Sequence, residues 1–363
     1  MNELKIIAYY LPQFHPIPEN DKWWGKGFTE WTNVGKAKPL FRGHYQPKIP
    51  ADLGYYDLRL DIVREQQVEL AKEAGIYGFC YWHYWFGNGK QLLNDIFDSV
   101  IETGKPNFPF CLGWANHSWY AKNWNSNGVK GKDKLLIEQK YLGVDDFREH
   151  FDYVLKAFKD KRYILINGKP VFLIFDPTSL PPEFIDYWNQ LAFESGFTKG
   201  IYFVAIVNNM TNEITSKNFN AYTYDRKFNY YYSKKTIGKL FFQAKGFFNK
   251  IILNKPILTL NYRKASQYFI DEVDKQENVI PTIIPNWDHT PRSGMNGLLF
   301  VDSNPQLFKE HVKQVIRFVS QKDNKLIFLK SWNEWGEGNY MEPDLKFGKG
   351  YINALRDAIQ ECE

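Results

Sequence analysis

The chain has 363 residues, of which 44% are hydrophobic and 24% are charged, and this balance excludes a largely disordered chain. The net charge of +5 is modest for the length and does not by itself indicate a nucleic-acid partner. Aromatic residues make up 18% of the chain, and many stand beside amides, histidines and carboxylates, as in "CYWHYWF" and "GWANHSWYAKNW". Apolar rings next to hydrogen-bonding groups suit a sugar, which has both apolar faces and hydroxyls.

Short apolar runs rich in β-branched and aromatic residues predict eight strands. In chain order they are residues 4–10, 76–82, 108–115, 170–176, 201–207, 219–225, 279–285 and 325–331. Stretches of helical period lie between them, as at residues 144–158 and 304–319. In another such stretch, residues 61–74, the period predicts one apolar face made of Ile62, Val63, Gln66, Leu70 and Ala74.

The order of these elements predicts the fold class. Eight successive strand–helix units favour an α/β protein with a single (β/α)8 TIM barrel over residues 1–363. Long segments without a strand predict loop insertions after strand 1 and between strands 6 and 7, the second over about residues 226–270. A doubly wound sheet is disfavoured, because the sequence has no G-x-G-x-x-G pattern or phosphate-binding loop.

Barrel enzymes build their sites at the carboxyl ends of strands, where this sequence places polar and aromatic residues. Asp176 and Asp225 end strands 4 and 6, and each is interpreted as a hydroxyl acceptor, a third carboxylate or a loop cap. For Glu30, sugar binding and a structural role are both open. Some of the tryptophans are expected to pack in the core. The candidate substrate-binding residues are Tyr10, Gln13, His15, Trp24, Glu30, Trp31, His83, Tyr84, Trp85, Trp114, Asn116, His117, Trp119, Asp176, Tyr224, Trp287, Trp332, Asn333 and Trp335.

The segment "SWNEWGEGNYMEPD", residues 331–344, follows the last predicted strand and contains the candidate catalytic residues Glu334 and Glu337. Glycoside hydrolysis uses two carboxyl groups, one to protonate the leaving oxygen and one to assist displacement. Two glutamates three residues apart also occur on solvated helix faces. Here Gly336 and Gly338 disfavour a regular helix, and the adjacent tryptophans would desolvate one carboxyl and raise its pKa, as a general acid requires.

Four segments in order resemble the WbsX-type proteins of bacterial surface-polysaccharide gene clusters, which belong to the glycoside hydrolase family 99-like group. They are "YYLPQFHPIPENDKWWGKGFTEWTNV", "GFCYWHYWF", "GWANHSW" and "SWNEWGEGNYMEPD", and the resemblance covers essentially the whole chain. It implies a barrel related to endo-acting α-mannosidases, which retain anomeric configuration and use no metal. Their Asn-Glu-Trp-x-Glu-Gly pattern corresponds here to Asn333, Glu334, Trp335, Glu337 and Gly338.

The resemblance also implies a role for each glutamate. Glu337 would be the general acid/base, and Glu334 would deprotonate the sugar's 2-hydroxyl so that this hydroxyl attacks its own anomeric carbon. Direct attack by Glu334 stays open, since the 2-hydroxyl route needs that hydroxyl trans to the leaving group, as in α-mannosides. The x position is His in the mannosidases and Gly336 here, so the resemblance does not settle the substrate contacts.

The sequence predicts no metal and no other cofactor. His83 and His117 each follow a strand, but without an H-x-H or H-E-x-x-H spacing they are interpreted as hydrogen-bond donors. The three cysteines have no disulfide or metal-ligand spacing, and Cys80 and Cys111 are predicted to be buried thiols. The early first strand leaves no room for a signal peptide, and no apolar run has membrane-spanning length, so a cytoplasmic location is expected, with peripheral contact to the inner membrane open.

The predicted insertion is basic. No acidic residue lies between Asp225 and Asp271, whereas ten lysines and arginines do. Residues 237–253 have helical period, with an apolar and aromatic stripe flanked by lysines. Either this helix packs on the barrel, or residues 226–264 contact an anionic membrane surface or a glycolipid.

Three functions follow from these observations. The favoured one is a retaining glycoside hydrolase or transglycosylase that acts on bacterial surface polysaccharide or its lipid-linked precursor, so the expected partner is an oligosaccharide or polysaccharide. A glycosyltransferase of O-antigen or capsule biosynthesis is less favoured, because the chain has no D-x-D triplet and no nucleotide-phosphate loop. The third is a non-catalytic carbohydrate-binding protein, which would not need the two closely spaced carboxyl groups of Glu334 and Glu337.

Overall fold

The computed structural model describes residues 3–121, 133–234, 236–253 and 255–362. The chain divides into two compact units. The first unit comprises Met1–Tyr77, Arg226–Glu277 and Pro281–Glu363, and the second comprises Gly78–Asp225 and Asn278–Ile280. Whether the two units make one domain, as the sequence predicts, stays a prediction.

Eight parallel strands form the main sheet. They are β1 (Lys5–Tyr10), β2 (Gly78–His83), β3 (Phe110–Trp114), β4 (Lys169–Ile174), β5 (Tyr202–Val207), β6 (Ala221–Tyr224), β7 (Thr282–Ile283) and β8 (Leu326–Leu329). Each overlaps one of the eight predicted runs. With the helices between them they form a (β/α)8 TIM barrel, so the predicted fold class is confirmed.

Within each unit the strands pair in parallel. In the first unit β8 lies between β1 and β7, with Ile7 opposite Phe328 and Phe328 opposite Thr282. In the second unit the order is β2, β3, β4, β5, β6, with Cys80 opposite Cys111. Both cysteines are buried and free, as predicted. Most residues of these strands are buried, which is typical of parallel strands covered on both faces.

Helices and short sheets complete the described chain. The helices are α1 (Pro18–Trp24), α2 (Glu30–Lys36), α3 (Asp61–Glu73), α4 (Asn94–Thr103), α5 (Val144–Phe158), α6 (Phe184–Glu194), α7 (Asn212–Thr215), α8 (Asn229–Tyr232), α9 (Thr236–Leu253), α10 (Tyr262–Ser266), α11 (Thr290–Ser293), α12 (Pro305–Val319) and α13 (Gly350–Gln360). Turns of 3₁₀ helix lie at Glu272–Lys275, Gly294–Asn296 and Trp335–Glu337. Short strand pairs join Trp119–Ala121 to Lys134–Ile137, Thr259–Asn261 to Leu299–Val301, Asn333–Glu334 to Asn339–Tyr340, and Leu165–Ile166 to β4.

The inward face of α3 differs from the predicted one. Ile62 is 56% exposed and Gln66 is also exposed, whereas Gln67 is fully buried. Gln67 occupies the core because its amide nitrogen donates to Glu342 at 2.6 Å and its oxygen accepts from the Tyr10 hydroxyl at 2.6 Å. A buried amide with both groups bonded carries little desolvation cost, so hydrophobic period alone assigns this face wrongly.

The helix predicted in the basic insertion is α9. Among its described side chains, the apolar ones on its outer face are 45–63% exposed, so they do not pack on the barrel. These side chains are Leu240, Phe247, Phe248, Ile251, Ile252 and Leu253. The opposite face approaches the following segment at Gly246, where a Cβ would lie 2.7 Å from the Ile257 carbonyl oxygen. Across the described helices, none combines the length and apolar character needed to cross a bilayer.

Candidate active site

The segment after β8 forms a tight hairpin that carries both candidate catalytic glutamates. Asn333–Glu334 pairs antiparallel with Asn339–Tyr340, and the 3₁₀ turn Trp335–Glu337 joins the two short strands. The turn closes at Gly338, whose φ is +56°. A Cβ at Gly338 would lie 2.7 Å from the Cβ of Asp288, so both the backbone conformation and the available space require glycine.

Arg292 joins three carboxylates at this hairpin. Its Nη1 donates to Glu337 Oε1 at 2.6 Å and lies 3.4 Å from Glu334 Oε1, while its Nη2 lies 3.0 Å from Glu30 Oε2. The side chain of Glu30 is 4% exposed, and those of Glu334 and Glu337 are 16% exposed. We call these four residues the carboxylate–arginine cluster. One guanidinium cannot neutralise three carboxylates, so the cluster favours a proton on one of them.

The two candidate catalytic residues have opposite pKa shifts. Burial raises the pKa of Glu334 to about 7, and the negative charge of Glu337 adds to the rise. Burial would also raise the pKa of Glu337, but Arg292 and then His289 outweigh it and hold that pKa well below its ordinary range. The Nε2 of His289 lies 3.3 Å from Glu337 Oε1. In the free protein the shared proton therefore resides on Glu334, whereas the resemblance implies the acid role for Glu337.

Glu30 enters the cluster from the start of α2. Thr29 caps this helix by accepting from the backbone nitrogen of Trp31 at 3.2 Å, and the backbone nitrogen of Glu30 donates to the Gln13 carbonyl at 3.1 Å. A Cβ at Gly336 would overlap Oε2 of Glu30 and lie 3.0 Å from Nε of Arg292. Glu30 thus occupies the space that a side chain at position 336 would need.

The loop after β7 supplies His289 and Arg292, and Asp288 orients it. One carboxylate oxygen of Asp288 accepts from the backbone nitrogen of Thr290 at 3.0 Å and from its hydroxyl at 2.6 Å, at the start of α11. The backbone nitrogen of Asp288 donates to the Glu337 carbonyl at 2.7 Å. This loop is therefore tied directly to the hairpin that carries Glu334 and Glu337, which fixes Arg292 relative to both glutamates.

A buried polar network holds Trp335. The Trp335 ring stacks on Tyr340 with centroids 3.8 Å apart, and its Nε1 donates to Glu342 Oε2 at 2.6 Å. Glu342 also accepts from the Tyr56 hydroxyl at 2.8 Å and from the Gln67 amide at 2.6 Å. Burial raises the pKa of Glu342 to about 7, against the lowering effect of these hydrogen bonds. The network therefore fixes the ring of Trp335, which lies between Glu334 and Glu337 in the sequence.

Several predicted substrate-binding residues of the first unit are engaged by the protein itself. Both amide groups of Asn333 bond the backbone of Leu11, at 2.8 Å and 3.0 Å, and the Tyr10 hydroxyl donates to Gln67. Trp31 donates to the Tyr56 carbonyl at 2.7 Å, and its ring lies 5.5 Å from that of Trp335. His15, Trp287 and Trp332 are buried, Gln13 is half-buried and Trp24 is 44% exposed.

The other predicted binding residues lie in the second unit, and they are His83, Tyr84, Trp85, Trp114, Asn116, His117, Trp119, Asp176 and Tyr224. His83 Nε2 is 2.8 Å from His150 Nε2, and burial lowers the pKa of His83 to about 3, so its ring is neutral. Trp85 stacks on His150, and Trp114 donates to the Trp85 carbonyl at 2.9 Å, as packed core rings do. Their contact with a ligand stays a prediction.

The polar residues after β3 and β4 are bonded to each other. The Asn116 amide oxygen accepts from the Asp176 backbone nitrogen at 2.7 Å, and its amide nitrogen donates to the Asp176 carbonyl at 2.8 Å. The Asp176 carboxylate accepts from the backbone nitrogens of Thr178 and Ser179, at 3.2 Å each, and from the Ser179 hydroxyl at 2.6 Å. Asp176 therefore caps its loop, and its contact with a ligand stays a prediction. In the part of the chain described, no group of three His, Cys, Asp or Glu side chains is arranged to hold a metal ion.

Sequence reasoning did not select Arg292, His289 or Glu342. Glu342 stands inside the segment 331–344, so its place in that motif was a usable signal. Arg292 and His289 follow the seventh predicted strand, and barrel sites are built after the ends of strands. The carboxylates they contact are more than 40 positions away, so local residue spacing could not indicate these contacts.

Comparisons with known proteins add a family and a fold. A family model described as glycosyltransferase WbsX matches residues 6–355. The uncharacterized protein WxcX of Xanthomonas campestris pv. campestris (strain B100) is 31% identical over 373 aligned residues, which cover 98% of this chain and 49% of that protein. The same protein of strain ATCC 33913 gives the same values. This chain thus spans about half the length of the curated relatives it matches.

Among solved structures, the GH99 endo-alpha-mannosidase from Bacteroides thetaiotaomicron in complex with BIS-TRIS-propane is 15% identical, with a TM-score of 0.58 over 100% of this chain and 98% of that chain. A glycoside hydrolase-like protein is 16% identical, with a TM-score of 0.60 over 99% of this chain and 94% of that chain. At these identities the likeness establishes the barrel fold.

Proposed function

The chain belongs to the WbsX glycosyltransferase family, and on this premise we propose that it is a glycan-acting enzyme, a retaining glycoside hydrolase or transglycosylase that uses Glu334 and Glu337. Its substrate is a bacterial surface polysaccharide or the lipid-linked precursor of one, cleaved at an α-mannoside-like bond. The carboxylate–arginine cluster supports this proposal, because two half-buried carboxyl groups at a strand end have pKa values shifted in opposite directions.

The proposed cycle uses the one proton that the pair holds below pH about 7. Binding of the sugar's 2-hydroxyl at Glu334 favours the ionised form of that residue, so the proton passes to Glu337. Glu337 then protonates the leaving oxygen, while Glu334 takes the 2-hydroxyl proton and the 2-oxygen attacks the anomeric carbon. In the second step Glu337 deprotonates water or an acceptor hydroxyl, and Glu334 returns its proton to the 2-oxygen. Two inversions at the anomeric carbon give net retention.

The first experiment measures glycan release from α-mannan, rhamnan and cell-surface oligosaccharides. Glu334→Gln and Glu337→Gln should each reduce release by about 100-fold or more, because each loses a proton-transfer group. Glu102→Gln, at an exposed glutamate of α4, is the matched control and should act like wild type. Proton NMR of the first product should show the substrate's anomeric configuration. Full activity in either active-site variant would refute the proposal, and glycan binding without release by wild type would indicate a binding protein.

A sugar-nucleotide glycosyltransferase is the second candidate, and the description of the matching family favours it. Its distinguishing product is a nucleoside diphosphate, released from a nucleotide sugar only when an acceptor glycan is present. Transfer of this kind that persists in both Glu334→Gln and Glu337→Gln would replace the hydrolase proposal. Transfer from an oligosaccharide donor that both variants abolish would instead indicate the transglycosylase.

The exposed face of α9 supports peripheral contact with an anionic membrane surface. Its apolar side chains include Phe247 at 60% and Phe248 at 57% exposure, and the surrounding stretch from 226 to 270 contains only basic charges. Exposed rings that insert at the headgroup boundary, with lysines that contact anionic lipids, are typical of interfacial helices. A lipid-linked precursor would be presented at such a surface.

Liposome co-sedimentation tests this contact. Wild type should bind vesicles of anionic phospholipid, bind neutral vesicles less, and lose binding as salt screens the lysines. The double variant Phe247→Ser/Phe248→Ser should lose binding. Phe193→Ser is the matched control, because Phe193 of α6 is 64% exposed and is remote in sequence from the basic insertion. Absence of binding to anionic vesicles at low salt would exclude the contact.

A further inference from the structure

A cavity in the first unit is lined by none of the four residues of the carboxylate–arginine cluster. Its volume is about 400 Å³, which is within the range of about 300–1,000 Å³ typical of small-molecule sites. The cationic side chains that line it are Arg42, Lys48, Lys255 and Lys346, and we call it the basic pocket. They come from the chain after α2, from the chain after α9 and from the segment after the hairpin that carries Glu334 and Glu337.

The positive charge of the basic pocket is not neutralised by salt bridges. Among the residues that the structure describes, no carboxylate forms a salt bridge with Arg42, Lys48, Lys255 or Lys346. Lys48 is only 7% exposed, and its Nζ donates to the Gly338 carbonyl at 3.2 Å. This hydrogen-bond partner is a neutral carbonyl, and burial lowers the pKa of Lys48, against the raising effect of the Asp288 and Asp344 charges. An anion in the pocket would favour the charged form.

Aromatic rings face three of the four cations, and the Nζ of Lys48 lies 5.2 Å from the centroid of the Tyr340 ring. The Nζ of Lys255 lies 4.8 Å from the centroid of the Phe41 ring. The Nζ of Lys346 lies 4.7 Å from the ring of Tyr45 and 4.8 Å from that of Phe347. A ring face attracts and orders an ammonium group without cancelling its charge. The lysines are therefore positioned before any ligand binds, and they keep the capacity to pair with an anion.

The two carboxylates of the pocket wall have other partners. Oδ2 of Asp288 accepts from His44 Nε2 at 2.9 Å and from Gln46 Nε2 at 2.7 Å, while its other oxygen caps α11. Oδ2 of Asp302 accepts from the Asn261 amide at 2.6 Å. The described residues that line the pocket thus include four cations and two carboxylates, and both carboxylates are engaged by other groups.

We propose that the basic pocket binds the diphosphate group of a saccharide diphosphate. The guanidinium of Arg42 presents the paired donors that suit phosphate oxygens, and lysines supply further point charges. A cavity of about 400 Å³ has room for a sugar next to the phosphates. The saccharide part of this assignment rests on the proposed function, whereas the anion-binding part stands on the charges and the cavity alone.

Two sources share this chemistry, a nucleotide sugar and a lipid-linked saccharide. The lipid-linked source has a second observation in its favour, because Lys255 follows the exposed apolar face of α9 directly. Its backbone nitrogen donates to the Asn249 carbonyl at 3.1 Å, and Gly246 packs on Ile257. A diphosphate in the basic pocket would therefore lie beside the helix proposed to contact lipid.

Isothermal titration calorimetry on the whole chain tests the pocket with three probes: inorganic pyrophosphate, a uridine diphosphate hexose and a short-chain prenyl diphosphate hexose. A neutral methyl hexoside serves as the probe without phosphate. Lys255→Gln/Lys346→Gln and, separately, Arg42→Gln should weaken binding of the diphosphates at least tenfold. Lys161→Gln/Lys199→Gln is the matched control, because it removes the same charge at two exposed lysines of the second unit.

The outcomes separate the proposal from its alternatives. Diphosphate binding that the pocket variants weaken and the control does not would support it, and the tighter of the two saccharide probes would identify the source. No binding of any diphosphate, or binding equal in all variants, would overturn it. Inorganic pyrophosphate has no sugar to place at Glu334, so its binding reports on the pocket even if the proposed catalysis fails.

Discussion

Arg292 is expected to control the pH range in which the glutamate pair holds one proton. Activity in the proposed mechanism requires one proton on the pair, so it should fall as pH rises through the pKa of Glu334, about 7. It should fall again only at a pH well below 4.5, where Glu337 becomes protonated. Arg292→Met removes the cation that opposes protonation of both groups, so both limits should move to higher pH.

The size of the shift follows from the contacts. Arg292 Nη1 is 2.6 Å from Glu337 and 3.4 Å from Glu334, which places the charge centres roughly 4 Å apart for the closer pair. At an effective dielectric constant of about 20, such a pair interacts by about 4 kcal/mol. Division by about 1.4 kcal/mol per pKa unit gives an upward shift of up to about 3 units for Glu337. The shift for Glu334 is smaller, because its contact is longer.

The assay is the pH dependence of kcat/KM on the most active glycan. In Arg292→Met the low-pH limit should move upward by about 1–3 units and the high-pH limit by less, so the active range becomes narrower. Arg292→Lys keeps a positive charge and should stay nearer to wild type, despite losing the forked contact with Glu30. Identical pH limits in wild type and Arg292→Met would refute the claim that this guanidinium sets the ionisation of the pair.

Three further predictions concern stability, each measured by urea unfolding. Gly336→Ala should lower the free energy of unfolding by about 1–3 kcal/mol, since its Cβ overlaps the Glu30 carboxylate, and adding Glu30→Ala should restore most of the loss. Glu334 has a pKa raised from 4.5 to about 7, so the folded state binds more protons than the unfolded state in that window and stability falls as pH rises through it. Glu334→Gln should remove this fall, becoming roughly 1–3 kcal/mol more stable than wild type at pH 8 and equal at pH 4. Trp335→Phe should cost about 1–3 kcal/mol, because it takes one hydrogen-bond donor from the buried Glu342, whereas an equal stability would show that the other donors suffice.

The barrel strands could be predicted because parallel strands buried on both faces appear in sequence as continuous apolar runs. The predicted bounds are least accurate for strand β7. The run 279–285 predicts seven residues, but the strand covers only Thr282–Ile283, and Val279 adds a single bridge to Tyr222. Pro281 and Pro285 flank Thr282–Ile283 in the sequence, and proline lacks the N–H that a sheet ladder needs. The apolar composition of the run predicts that a strand is present, whereas the two prolines limit how many of its residues can hydrogen-bond in the sheet.

The charge environment of the candidate site was beyond sequence prediction. Glu334 and Glu337 could be selected because both follow a predicted strand and lie three residues apart. Arg292 lies 42 and 45 positions from them and 262 positions from Glu30, and such separations have no local signal. For the same reason the sequence could predict that one carboxyl of the pair has a raised pKa, but not that it is Glu334, since Arg292 and His289 both contact Glu337.

Gly336 connects the departure from the mannosidase pattern to a specific physical change. Read along the sequence, a glycine in place of histidine only removes a side chain from the site. In the structure the space is filled, because Oε2 of Glu30 stands where a Cβ would be and Arg292 binds that oxygen. A side chain at position 336 and this placement of Glu30 exclude each other sterically. Any larger residue at position 336 of this chain therefore requires a different placement of the Glu30 carboxylate and of its contact with Arg292.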